Sequence, residues 1–501
     1  MTLDGTAKGM AAPGTNIPHL SERTLPQVPH DVLRPHYDRA RTRIGTVHFG
    51  PGAFHRAHQA FFVDRLLERD GSRAICAVSL KTRSLRDALA PQDGLYTLVE
   101  IDAVPTTRVI GSIREVLVAT EDPTGVSRRL SAPDTSLITI TVTEKGYCLD
   151  GTGGLDFDHP DIVHDLGNPE VPRSLVGWLV RGFQLRHERG LAPCLTVSCD
   201  NLSDNGTKLR RAVLAFAARR DRALAGWIEE QARFPRTMVD SITPATDAAL
   251  RSRVAQALGL QDAWPIQREP FAQWVVEETD FAGQPDWASV GVTVSRDVSA
   301  YERAKLRLLN GAHSTLAYLG LLAGLETVAQ AMAQPALRAF IERLMREDIE
   351  PTLAVPRGAE LVAYRQSILR RFENPALRHQ LAQIACDGSQ KLPIRILGTL
   401  ADALRAGRPL TRLVLPIAGW MHFVRAQAAN AKPIVDPLGE QLTACGKRAT
   451  GESQHDLAMF LDLPGVFAAS LVGNTEFVRT LGGAYDLIAR HGLLAAVAHQ
   501  P

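Results

Sequence analysis

One segment, IGTVHFGPGAFHRAHQAFFVDR over residues 44–65, constrains this chain more than any other: a β-branched run, a glycine-containing turn and an amphipathic run follow one another without a gap. A strand that turns tightly into a helix opens a βα unit, and a series of such units implies a parallel sheet. Gly50 and Gly52 let the backbone turn sharply and approach an anion closely, while a helix running from Phe54 onward presents free N–H groups and the positive end of its dipole. Phe54, His55 and Arg56, in its first turn, are residues expected to bind the dinucleotide. The match to G-x-G-x-x-G is incomplete, with His55 in place of the third glycine and Pro51 between the first two. Taken alone, the segment is equally an ordinary strand-to-helix corner.

Up to about residue 292, short β-branched runs alternate with longer amphipathic ones, which places strands at residues 44–49, 74–80, 96–101, 136–143 and 194–198. Residues 96–101 and 107–113, joined through Asp102 and Pro105, read as a hairpin inserted into the α/β plan, so a full six-strand order is not expected. Residues 290–294 form a last apolar run that could still belong to the sheet. Beyond Val298 the spacing is helical over residues 301–325, 336–347, 359–371, 375–385, 393–406 and 456–463. The expected fold class is an α/β Rossmann-like N-terminal domain with a mostly α-helical C-terminal domain. Residues 1–40 would be a loose N-terminal extension, residues 41–295 the dinucleotide-binding domain and residues 296–501 the helical substrate-binding domain.

Electrostatics narrow the function. The 56 Lys and Arg residues nearly balance the 54 Asp and Glu residues, which argues against a nucleic-acid or membrane-surface role while leaving room for a local basic pocket. Six cysteines without a C-x-x-C pair read as buried thiols in a reducing compartment. No signal-peptide core stands near the start, and the most apolar later run, residues 316–325, falls well short of the roughly 20 residues that span a bilayer. A cytoplasmic protein without a membrane or nucleic-acid partner is expected; the oligomeric state stays open, a monomer included.

The second informative segment is YERAKLRLLNGAHSTLAY, residues 301–318. At about 100° per residue, Lys305 at 0°, His313 near 80° and Asn310 near 140° can all look toward one side of a helix. The leucines around them make burial probable on composition, and a lysine deprived of hydration has its pKa lowered, which suits a general base. Judged one at a time these are as easily a snorkelling lysine, a capping asparagine and a core histidine. Tyr301 and Lys305 also spell Y-x-x-x-K, but a short-chain dehydrogenase would carry its glycine turn near the start of a chain about half this size, so that match is set aside. His48, His55 and His58 lack a nearby carboxylate or thiolate, which fits helix packing and phosphate proximity better than a metal site.

Taken together, GPGAFHRAHQA, TEKGY, EPFAQWVVEE and the K-x-x-x-x-N-x-x-H pattern of Lys305, Asn310 and His313 resemble the polyol-specific long-chain dehydrogenases, the mannitol dehydrogenase and fructuronate reductase family, from about Ile44 to about Pro437. The resemblance implies a metal-free NAD(H) enzyme acting on a small sugar acid or polyol. Lys305 would be the general acid/base, Asn310 and Asn201 (in SCDNLSDNG) would polarise the reacting oxygen, and His313 would orient a substrate hydroxyl. Hydride transfer to a ketone leaves an alkoxide that an ammonium can protonate and two amide donors can stabilise. Glu302, one turn before Lys305, is placed to tune it or pass its proton to solvent, and is as readily an exposed acid at the helix start. Asp240, in MVDSIT, matches another family position near the substrate, and Thr143, Glu144 and Gly146 follow a strand whose carboxyl end would lie near the nicotinamide.

Substrate choice turns on a carboxylate. Residues 370–395, RRFENPALRHQLAQIACDGSQKLPIR, set Arg371, Lys391 and Arg395 around the turn Asp387, Gly388, Ser389, and a uronate needs such cations where a polyol needs only hydroxyl partners. DGSQKLP is also closer to fructuronate reductases, so interconversion of D-fructuronate and D-mannonate is expected, with Arg371 and Lys391 as substrate-binding cations. Mannitol/fructose, or another polyol or uronate, is the alternative, and a non-catalytic nucleotide sensor is the alternative of another class. NAD is the expected cofactor on the resemblance; Lys81, Thr82 and Arg83, standing where an acidic residue usually takes the ribose hydroxyls, keep NADP open.

Overall fold

The computed structural model describes residues 17–354 and 360–499. Among them run β1 Ile44–Phe49, β2 Ala74–Ser79, β3 Tyr96–Glu100, β4 Thr106–Ile110, β5 Ile113–Val118, β6 Leu137–Ile140, β7 Leu195–Ser198, β8 Thr237–Asp240, β9 Ile266–Arg268, β10 Gln273–Glu277 and β11 Thr293–Ser295. Five of them form one sheet in the order β5-β2-β1-β6-β7, and every neighbouring pair is parallel. The chain moves outward from β1 through β2 to β5, then crosses back to β6 on the other side of β1. That reversal makes a crevice at the carboxyl ends of β1 and β6, which is where open α/β sheets bind ligands. β2, β6 and β7 are buried along their whole length, as strands covered on both faces must be, so they read as continuous apolar runs.

The hairpin of β3 and β4 is present, pairing Tyr96 with Ile110 and Glu100 with Thr106, and it forms a separate sheet with β9. The expected run of residues 107–113 is split at Gly111, whose missing Cβ leaves room for Pro35 at 2.8 Å and the Arg39 stem at 2.9 Å; Ile113 instead opens β5 of the main sheet. The run at residues 290–294 contributes to β11, which belongs to a third sheet, β11-β10-β8. The loose extension expected at the start needs correction from residue 17 onward, residues 1–16 lying outside the described ones. Leu20, Val28 and Val32 are buried against Leu95, Val109 and Leu250, and the Arg39 guanidinium donates to the carbonyls of Asp93, Gly111 and Ile113. Pro and polar residues masked three apolar anchors spaced too irregularly to show a period.

After β11 no strand occurs among the described residues. The helices share one apolar core that includes Leu316, Phe340, Trp420 and Phe477. The 19-residue helix Thr411–Ala429 carries Pro416 in its interior, which is why its sequence does not read as one helix. Residues 375–385, in contrast, yield only the short helix Leu381–Ile384. Three stretches among the described residues widen into π-helical turns, Lys305–Asn310, Leu344–Ile349 and Pro393–Leu397, a geometry that is frequent at functional sites, and the first and last of them border the cavities described below. The six cysteines are unpaired, and no helix among the described residues is long and apolar enough to cross a membrane.

Candidate functional site

The glycine turn closes directly on the end of β1. Gly50 has φ +83°, and a Cβ there would lie 2.2 Å from the Thr141 carbonyl oxygen, so no other residue fits without moving the loop after β6. Gly52 precedes the helix Ala53–Ala57 with no side chain capping it, leaving main-chain donors at the crevice. The chain breaks at His58 and resumes as Gln59–Leu67, a short first helix that the sequence reads as one continuous run. Phe54 is half-buried, stacks on His58 and lines the cavity described below.

The His55 and Arg56 side chains are both buried inside the domain. The His55 ring stacks on His48 of β1 at 3.3 Å, neither of its nitrogens has a partner among the described residues, and burial holds its pKa well below 6.5. The third glycine of a dinucleotide turn serves close helix-to-strand packing; here two stacked imidazoles occupy that space. Arg56 donates to the Trp264 carbonyl at 2.7 Å and lies over the Tyr96 and Trp264 rings. His48 is held by Thr139 and Thr141, and His58 by the Gln273 carbonyl and the Gln59 amide, so these nitrogens serve packing.

Past the carboxyl end of β2 stand Lys81, which pairs with Asp161 at 3.0 Å, and Arg83, which pairs with Asp87 at 3.7 Å, both cations on the exposed surface. Along the other edge, Thr141 donates to the Gly50 carbonyl, tying the loop after β6 to the turn. Thr143 has φ +68° and precedes the short helix Glu144–Tyr147. Gly146 has no room for a Cβ, which would meet Val142 at 2.7 Å. Asp200, which the sequence did not single out, organises this loop: its carboxylate accepts the amides of Val142 and Thr143, each at 3.0 Å, and the Tyr147 hydroxyl at 2.8 Å. Its neighbour is Asn201.

Lys305 lies on the π-turn between the helices Val298–Ala304 and Gly311–Leu322. Its Nζ donates to Asn201 Oδ1 and to the Val239 carbonyl of β8, both at 2.6 Å. An ammonium has three hydrogens, so one is left without a protein partner among the described residues. Burial lowers the Lys305 pKa from 10.5, and Asp240 and Glu302 counter that with negative charge. Two adjoining cavities of about 360 and 300 Å³ share Asn201, Val239, Lys305, Asn310, Lys391 and Arg395 as walls. His313 enters the smaller one; its Nε2 has no partner among the described residues, its ring lies 4.4 Å from Phe372 and 4.9 Å from His379, and burial holds it neutral, well below 6.5. His379 lines the same cavity and was not singled out by the sequence, which read residues 375–385 as helical where the structure leaves His379 in an irregular stretch before Leu381–Ile384.

Arg371 has a different role from the expected one. Its guanidinium is forked on Asp240 (2.8 and 2.9 Å) and on Glu269 (2.7 and 2.8 Å), all three side chains buried. Saturated by two carboxylates of this chain, it is not a free receptor for a substrate carboxylate. It holds Asp240 Arg-bound beside Lys305, and the pair keeps the Asp240 carboxyl below 3.8 against the effect of burial. Tyr364 adds a hydroxyl at 3.3 Å to Asp240 and separates it from a third cavity of about 350 Å³ lined by Phe271, Tyr301 and Leu361. Glu269 opens the EPFAQW motif, so the motif was legible although the partner was not. Lys391 is loosely held, 3.4 Å from the Ile384 carbonyl and 3.6 Å from Asp387.

The chain is similar to known proteins over nearly its whole length. Residues 44–289 match the family model described as the mannitol dehydrogenase Rossmann domain, and residues 297–489 match the mannitol dehydrogenase C-terminal domain. The chain is 42% identical to the D-mannonate oxidoreductase of Escherichia coli K12, over 93% of this chain and 98% of that one. It is 39% identical to a mannitol 2-dehydrogenase of Aspergillus fumigatus, over 92% and 94% respectively. Among solved structures, the Pseudomonas fluorescens mannitol 2-dehydrogenase in ternary complex with NAD and D-mannitol superposes with a TM-score of 0.80 at 35% identity, covering 96% of this chain and 99% of that one.

Proposed function

The chain belongs to the mannitol dehydrogenase family, and from that premise we propose that it interconverts D-fructuronate and D-mannonate with NAD(H), using Lys305 as general acid/base and no metal. The observation that carries the reading is the seat of Lys305: a buried amine held by Asn201 and the Val239 carbonyl, in a cavity wall shared with Asn310 and the cations Lys391 and Arg395. We take residues 41–295 as the dinucleotide-binding domain and 296–501 as the substrate domain.

NAD(H), when bound, supplies or accepts the hydride. The crevice between β1 and β6 suits it: Gly50 makes the tight turn against the loop after β6, Gly52 is open beside it where the pyrophosphate would be held, and Thr143, Glu144 and Gly146 would border the nicotinamide. During reduction, the ketone oxygen gains negative charge as the hydride reaches its carbon, and the Lys305 ammonium donates the proton. The amide groups of Asn201 and Asn310 donate to that oxygen. In the reverse direction neutral Lys305 takes the hydroxyl proton, and its lowered pKa makes that form available below the ordinary lysine range. His313 Nε2, free of protein partners among the described residues, takes a substrate hydroxyl, and Asp240 lines the same cavity.

The E. coli relative is named for D-mannonate and the Aspergillus relative for mannitol, so the choice rests on the cations. Lys391 and Arg395 favour a carboxylate-bearing sugar; the D-mannitol of the Pseudomonas complex keeps mannitol/fructose as the second reading. Purified protein assayed with fructuronate plus NADH beside fructose plus NADH separates them: turnover of fructuronate is expected, and turnover of fructose alone defeats the uronate reading. NADPH in a parallel arm tests whether exposed Lys81 and Arg83 accept a 2′-phosphate; NADH is expected to be preferred.

A further inference from the structure

Arg395 presents an unusual electrostatic situation. It sits on the π-turn Pro393–Leu397, faces both cavities around Lys305, and has a single recorded hydrogen bond, from Nη1 to Ser314 Oγ at 3.1 Å. No carboxylate lies within 4 Å of its guanidinium among the described residues, whereas Arg371 has two. A guanidinium carries five N–H donors, and most of those of half-buried Arg395 have no protein acceptor among the described residues, so they stand open to a ligand that enters the cavity. Burial depresses the Arg395 pKa from 12.5, the direction expected for a cation short of counter-charge.

The local fold holds it there. Gly311, the residue after the Lys305 π-turn, has no Cβ; one placed there would lie 2.9 Å from the Arg395 carbonyl oxygen. The two π-turns therefore pack backbone to backbone, and the elements bearing Lys305 and Arg395 are fixed against each other. Lys391, one turn earlier, lines both cavities as well.

We propose that Arg395, assisted by Lys391, is the receptor for the substrate carboxylate, which makes this cavity selective for acyclic sugar acids over neutral polyols of the same length. This rests on the dehydrogenase reading above and assigns Arg395 the part that the saturated Arg371 cannot play. Arg395 offers a planar fork to a carboxylate while Lys391 adds a point charge. The carboxylate replaces the missing counter-ion, and the ketone or hydroxyl farther along the same chain is left facing Lys305.

The test compares wild type with Arg395→Gln and Arg395→Lys on a panel of aldonates (D-mannonate, D-altronate, D-gluconate) and polyols (D-mannitol, D-sorbitol), each with NAD. The ratio of kcat/KM for acid over polyol is expected to fall roughly 30-fold or more in Arg395→Gln, mainly through KM for the acid, and by less in Arg395→Lys. Equal losses on acids and polyols overturn the assignment of Arg395 while leaving the proposed substrate standing. Wild-type turnover of another aldonate but not D-mannonate overturns the substrate, and Arg395 is then judged on that aldonate. Turnover of polyols alone overturns both. Should Arg395→Gln fail to fold, Lys391→Gln is expected to show the same change of ratio in the same direction.

Discussion

Two clusters of charge, one buried and one only partly so, lie side by side in this molecule and are built on opposite rules. In the first, Arg371 is closed on Asp240 and Glu269, with four of its five N–H donors filled by these two carboxylates. In the second, Lys305, Lys391 and Arg395 line a cavity with only partial protein counter-charge. A saturated ion cluster acts as frame, because breaking it strands a charge; an unsaturated one is poised for a ligand, because its missing partner must come from outside. The frame joins β8 and the loop after β9 to the helix Leu361–Glu373, and so ties the sheet-bearing part of the chain to the helical part.

Breaking the frame has the largest expected effect. Arg371→Ala leaves Asp240 and Glu269 buried without their cation and is expected to cost about 3–5 kcal/mol of stability, read as a fall in Tm and in denaturant midpoint. Replacing all three (Asp240→Asn, Glu269→Gln, Arg371→Met) recovers much of that stability; if the triple variant is as unstable as Arg371→Ala, the ion cluster is not what holds this region. Lys305→Ala breaks the other cluster, and its expected cost is in rate: kcat lower by about 10²–10⁴-fold with Tm held or raised, since a poorly hydrated charge is removed. Full turnover in that variant defeats the acid/base assignment.

A subtler change is Gly311→Ala, which presses a Cβ against the Arg395 carbonyl and is expected to cost about 1–3 kcal/mol while misplacing Arg395. KM for the acid substrate rises with it, and a change in Tm without a change in KM separates packing from recognition. The smallest effect couples the two clusters. The Asp240 charge raises the Lys305 pKa, so Asp240→Asn removes that support and lowers it further. Neutral lysine then forms at lower pH: the rising limb of the oxidation profile moves toward acid, and the falling limb of ketone reduction moves the same way. A profile that stays in place, or moves toward alkali, contradicts the coupling.

Much of the fold was legible because parallel strands buried on both faces leave nearly continuous apolar runs, as 74–79 does, and because a turn that needs positive φ favours glycine, as at Gly50. The site was legible where its residues share one helix. Lys305, Asn310 and His313 reach one cavity even though the turn between them is π-helical, which ordinary 100° spacing does not describe. Where the His55 and Arg56 side chains point was not legible, because a position in a motif does not report it; one is stacked on His48 and the other reaches Trp264, 208 residues away.

By itself, then, the amino-acid order determined what depends on neighbours along the chain: the alternation that makes a parallel sheet, the glycine turn at its edge and the set of reactive groups on one apolar helix. Only the tertiary structure decided which cations are spent and which are available. Arg371 meets Glu269 across 102 residues and Asp240 across 131, and no local pattern reports a partner so distant. Arg371 and Arg395 are alike as letters, and charge is neutralised in space, not in sequence: one is closed by two carboxylates and the other is left facing the cavity.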